Sequence, residues 1–149
     1  MFTFKKYNRN ATLSTGLADP VTTNIDTGTL VFFNSGVPTP VLENTAATNE
    51  LYILSEKLVN AATEPNKEGR KLTAVYFPIK DSDLITGTYV HPTATTDDAP
   101  AVGAKVPVNL GKTVIKTGEG LVDRFQIVEV RDAYTSGDNT YTTVTLKKI

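Results

Sequence analysis

Two stretches of this chain share one spacing of glycine and valine, and that spacing constrains the fold more than any other feature. Gly28-Thr29-Leu30-Val31-Phe32-Phe33-Asn34-Ser35-Gly36 and Gly103-Ala104-Lys105-Val106-Pro107-Val108-Asn109-Leu110-Gly111 both read G-x-x-V-x-x-x-x-G. Each is followed by a longer apolar run, YILSEKL (52–58) or FQIVEVR (125–131), then by a polar turn. A threonine- and aromatic-bearing run closes each copy, KLTAVYFPI (71–79) or TYTTVTLKKI (140–149). Short strands punctuated by glycine and polar turns predict an all-β body.

Composition agrees. Of 149 residues, 24 are threonine, a β-branched residue that suits a pleated, half-exposed surface. The chain is long enough for one hydrophobic core, whereas each half alone is marginal. The expected fold is therefore a compact barrel or sandwich of about nine short strands, built from two similar halves. Residues 1–27 form an N-terminal arm or edge strand, and 28–149 one domain with a pseudo-repeat of 28–91 and 103–149. The loop PTATTDDAP (92–100) joins the copies.

Individual segments carry expectations of their own. Asn34-Ser35-Gly36 is a turn, and Val37–Val41, with two prolines, an edge. Residues 49–63 fit a strand over Tyr52–Leu58 by analogy with the second copy, with a short helix capped by Thr48 as the rival. A turn over Glu64–Gly69 leads into the strand 71–79. Asp81-Ser82-Asp83 turns the chain into the strand Leu84–His91. Val106, Val108 and Leu110 point inward and Pro107 outward. Asp132–Asn139 connects the last two strands, in which Val144 and Leu146 face inward and Thr143 and Thr145 outward.

Several function classes find no footing. With no cysteine there are no disulfides, thiol nucleophiles or zinc-thiolate sites. A net charge of −1 lacks the basic face that nucleic acid requires. No apolar run approaches the roughly 20 residues that span a bilayer, and charges stand where a signal peptide would be apolar. His91, the single histidine, has no carboxylate at a telling spacing and reads as a loop-edge residue. Asp81/Asp83 and Asp97/Asp98 lack the register of a calcium loop and read as turn formers. Gly111-Lys112-Thr113 has the letters of a phosphate loop, but Val106 stands where that motif needs glycine. Lys147-Lys148 is a solvated strand end. The reading is of a non-enzyme with no catalytic residue, cofactor or metal.

The stretches GTLVFFNSGVPTPVLENTAATNELYILSEK and GAKVPVNLGKTVIKTGEGLVDRFQIVEV, with the closing hairpin DAYTSGDNTYTTVTL, resemble the head-decoration (capsid cement) proteins of tailed bacteriophages. The resemblance spans 28–149 as a pattern. Its charged 59–69 connector is longer than the tight turn common among such proteins. The resemblance implies a structural virion protein on the capsid exterior, made in the host bacterial cytoplasm. Its implied partners are the major capsid protein and further copies of itself, a trimer being favoured. It also implies that residues 1–27 form an arm that clasps a neighbour. It carries over no residue roles; Phe2, Phe4 and Tyr7 are expected as interface anchors because aromatics in so polar a stretch gain burial on a neighbour. Loss of residues 1–15 would then leave the barrel folded. Rival functions are a tail or baseplate subunit and a module that binds host-surface glycans.

Overall fold

The computed structural model describes residues 1–6, 13–60 and 72–149. Tyr7 and the turn expected over Glu64–Gly69 lie outside the described residues. Twelve strands follow in chain order: β1 (Thr3–Lys6), β2 (Ser14–Ala18), β3 (Leu30–Asn34), β4 (Val37–Pro40), β5 (Tyr52–Leu54), β6 (Leu72–Pro78), β7 (Leu84–Pro92), β8 (Lys105–Val106), β9 (Val108–Asn109), β10 (Thr113–Val114), β11 (Phe125–Ser136) and β12 (Asn139–Lys148). The fold is all-β, as the sequence predicts. Among the described residues the one helical element is a 3-10 turn at Thr96–Asp98. The segment with a rival helical reading contributes β5.

The strands form two sheets. The large one runs β8-β11-β12-β7-β10-β9, with β1 also on β7, and the small one runs β2-β6-β5-β3-β4. The two ends of the large sheet, β8 and β9, are consecutive pieces of one stretch of chain, interrupted at Pro107. The sheet therefore curls almost into a barrel, and its seam lies where proline has no N–H to continue a ladder. Pro107 is buried at this seam, which corrects the outward position read from its alternation with Val106 and Val108. Leu110, expected to point inward, is 57% exposed. It has φ 52°, so the strand pattern ends before it.

Two cores follow from the layering. The main one lies between the sheets and joins Leu30 and Ile53 of the small sheet to Ile85, Val144, Leu146, Phe125 and Ile127 of the large one. The second lies on the other face of the small sheet, where Val31, Leu54 and Ala74 meet Ala18, Val21, Ile25 and Leu58. Neighbouring residues of β3 and β5 thus enter different cores. That is the two-sided burial predicted for Gly28–Phe33 from its unbroken apolar run.

All four glycines of the repeat have left-handed backbone: φ is 81° at Gly28, 87° at Gly36, 93° at Gly103 and 65° at Gly111. What lies between them differs. In the first copy Ser35 (φ 49°) and Gly36 make the two-residue turn of the β3–β4 hairpin, both central residues being left-handed as right-twisted strands demand. In the second copy Pro107 divides the stretch into β8 and β9. The copies meet at Gly111, whose N–H donates to Val41 O (2.8 Å) and whose carbonyl accepts from Leu30 N (2.8 Å).

Two further expectations are corrected. The connector expected over Asp132–Asn139 shrinks to the turn Gly137-Asp138, and β11 runs on to Ser136. This part of β11 is held by its ladder to β12 and covered on neither face, so no apolar alternation announces it. Thr145 points away from Leu146 as read, yet it is only 2% exposed.

Candidate interaction surface

The N-terminal aromatics divide. Phe2 is fully buried in the main core, its ring stacked on Phe125 with centroids 6.3 Å apart. Its N–H donates to Gly28 O (2.9 Å). Phe2 therefore does not face a neighbour as an anchor, because its own barrel buries it. Phe4 is half-buried against the same core and meets Phe77 edge-on at 5.5 Å. β1 pairs antiparallel with β7, so residues 3–6 are a strand of the large sheet.

The residues weighed for chemistry are dispersed. His91 is buried on the inner face of β7, not at a loop edge. The alternation of β7 carries Ile85, Gly87, Tyr89 and His91 inward together. Its Nδ1 is buried without a hydrogen-bond partner, and its ring lies 5.9 Å from that of Tyr89. Tyr89 donates to the Asp98 carbonyl oxygen (2.6 Å). The Lys116 ammonium, helped by the Thr95 hydroxyl, holds the Asp98 carboxyl below its usual range. Asp83 is buried and its Oδ2 accepts from Lys80 N (2.8 Å), closing the turn before β7. Asp81 pairs with Lys148 (2.8 Å). Lys148 is thus largely covered rather than the solvated end expected of it. Among the described residues no three His, Asp or Glu side chains converge as metal ligands.

Arg124 is the buried charge that sequence reasoning missed. Its Nη2 donates to the carbonyls of Thr45 (2.9 Å) and Ala46, and its Nη1 to those of Ala47 (3.1 Å) and Asn49 (3.2 Å). One guanidinium fork thereby organises the whole turn before β5. Desolvation lowers its pKa. A lone arginine in a loop gives no sequence signal of such a cage. This turn forms one wall of an open groove of about 460 Å³, also lined by Tyr52, Asp81 and Lys148.

Tyr52 yields a test of this region. Its hydroxyl donates to Glu50 Oε2 (2.7 Å), and burial followed by Glu50 pushes its pKa up to about 12. An unfolded tyrosine titrates near ~10. The unfolded chain loses this proton first, so the stabilising contribution is complete below pH ~10 and is lost as pH rises through about 12. Tyrosinate absorbance should contain a component titrating near pH 12 that Tyr52→Phe removes. An identical curve for the variant would refute the assignment.

The most distinctive surface is the outer face of the large sheet. Alternation along β7 turns Leu84, Thr86, Thr88 and Val90 outward. Register sets Thr86 beside Thr145, Thr88 beside Thr143 and Val90 beside Tyr141. On the far side of β7, Thr3 lies beside Thr86. Tyr141 pairs in turn with Tyr134 of β11, their rings stacked at 5.2 Å and 14°. Tyr134 is 63% exposed. The outward positions from Thr86 to Val90 and from Tyr141 to Thr143 carry no charge; beyond them Thr145 is covered, with Glu129 of β11 beside it. The tyrosine pair was legible in principle, since the two residues lie symmetrically about Gly137-Asp138. It was missed because the connector was read as too long.

No known protein family, curated protein or solved structure matches the chain.

Proposed function

We propose that this chain is a structural virion protein that binds the outside of a phage capsid and braces its lattice. The observation that carries the reading is the threonine-and-tyrosine face of β7 and β12, extended onto β11 by Tyr134. Hydroxyls on a rigid sheet suit a wet, polar protein interface, and an exposed tyrosine beside them suits an anchor. Function here is buried area, and several weak contacts gain avidity when copies are joined. The partner is the major capsid protein. The N-terminal segment enters this account as a strand of the barrel, with Phe2 inside it.

The test is addition of purified protein to preformed empty heads, with occupancy read by electron microscopy and co-sedimentation. Tyr134→Ala is expected to weaken attachment by roughly 30-fold, about 2 kcal/mol, while leaving the fold intact. Full occupancy by the variant would remove this face from the mechanism. A wild-type chain that never adds to heads would remove the capsid reading itself.

A further inference from the structure

Among the described residues the outer edge of β11 is occupied only at its start. Phe125 and Gln126 pair with β8. Ile127 N donates to Ala104 O (2.9 Å), and Ile127 O accepts from Gly103 N (2.7 Å). From Val128 onward no strand lies beside that edge among the described residues. The nine successive residues 130–138 are exposed, on both faces of the strand and around its turn. Among the described residues this flange pairs with β12 alone, and an uncovered two-stranded ribbon is marginal in water.

The flange also carries devices that discourage indiscriminate pairing. Register shifts fall between Ile127 and Glu129 and between Val130 and Ala133. Glu129, Arg131 and Asp132 add charge along the same stretch. Bulges and charges of this kind blunt an edge towards most strands. Yet the charges are self-complementary. Set antiparallel about Val130, Glu129 faces Arg131 of the partner subunit, and Arg131 faces Glu129 of the partner subunit. Within one chain the same two side chains already meet at 3.2 Å while remaining well exposed. Val128 and Val130, each 37% exposed, gain cover in that arrangement.

We infer that the outer edge of β11 beyond Ile127 pairs with the same edge of a second copy, joining two chains about a twofold axis at Val130. This rests on the proposal that the chain works by gripping protein, and it names one of the surfaces gripped. A twofold strand pair closes at two copies. It therefore differs from the trimer implied by resemblance to decoration proteins. The opposed charges select this partner and register over others, since a like-charge pairing is repelled.

Sedimentation velocity of the full chain, from about 1 to 500 µM, tests the inference. A concentration-dependent dimer is expected. Glu129→Arg and Arg131→Glu should each weaken it by at least about tenfold, and the double exchange should restore it to within about threefold. Val130→Lys, which sets two ammonium groups at the axis, should also yield monomer. Circular dichroism checks that each variant remains folded. A wild-type monomer or trimer overturns the inference, as does a dimer indifferent to the single exchanges or not restored by the double one. The same samples added to empty heads separate the two ideas. Monomers that decorate heads refute the dimer alone, and dimers that never decorate refute the capsid proposal alone.

Discussion

Phe2→Ala is expected to destabilise the fold by about 3–5 kcal/mol, the usual loss when a buried phenylalanine is truncated. The ring is fully buried and stacked on Phe125. It also lies where a side chain on Gly87 would stand, since an added Cβ there would come within 2.8 Å of it. The space it fills is thus bounded by β7 and β11, which flank β12 in the large sheet, and neither strand can collapse inward without disturbing its ladder. Removing residues 1–15 should have a larger effect, because it also deletes β1 from β7 and the first two residues of β2, Ser14 and Thr15, from β6. Urea melts of wild type, Phe2→Ala and the truncation would measure both. Leu17→Ala serves as a control, since Leu17 is 76% exposed and should shift stability by no more than about 0.5 kcal/mol. A truncated chain that melts like wild type would restore the N-terminus to the role of a detachable arm.

Gly111→Ala is the second large effect, expected at about 3 kcal/mol or more from backbone strain and overpacking together. With φ at 65° any side chain is strained, and the added Cβ would stand 2.4 Å from the Leu30 carbonyl oxygen and 2.7 Å from Thr29 Cγ2. The nearest obstruction is backbone, so it cannot rotate aside. Relief would separate Gly111 from Leu30 and Val41, breaking both 2.8 Å hydrogen bonds that tie the second glycine stretch to the first. Gly103→Ala provides the contrast. Gly103 also has positive φ, but nothing lies within 4 Å of the added Cβ, so only the smaller cost of backbone conformation applies. Equal melting points for the two variants would show that the junction at Gly111 does not hold the halves together.

The repeat and its correction follow from the same physics. Glycine spacing marked where the chain must adopt left-handed backbone, and at all four positions it does. It did not mark what the intervening residues pair with. One proline in the second stretch removed the donor that a hairpin needs and turned an expected strand into the seam of a barrel. The free part of β11 escaped notice for a related reason. Hydrophobic alternation reports burial, and residues 130–138 are buried on no face.

From its sequence alone this chain was committed to strands, to turns at glycine and Asp/Asn/Ser clusters, and to a single β body, because these depend on local backbone preference and alternation. The tertiary structure alone decided that Phe2 belongs to the core, that His91 faces inward, that Arg124 is caged by four carbonyls, and that Tyr134 and Tyr141 stand together outside. Each of these depends on which distant strand lies alongside, and pairing across the sheet is a long-range choice that no local run of residues encodes.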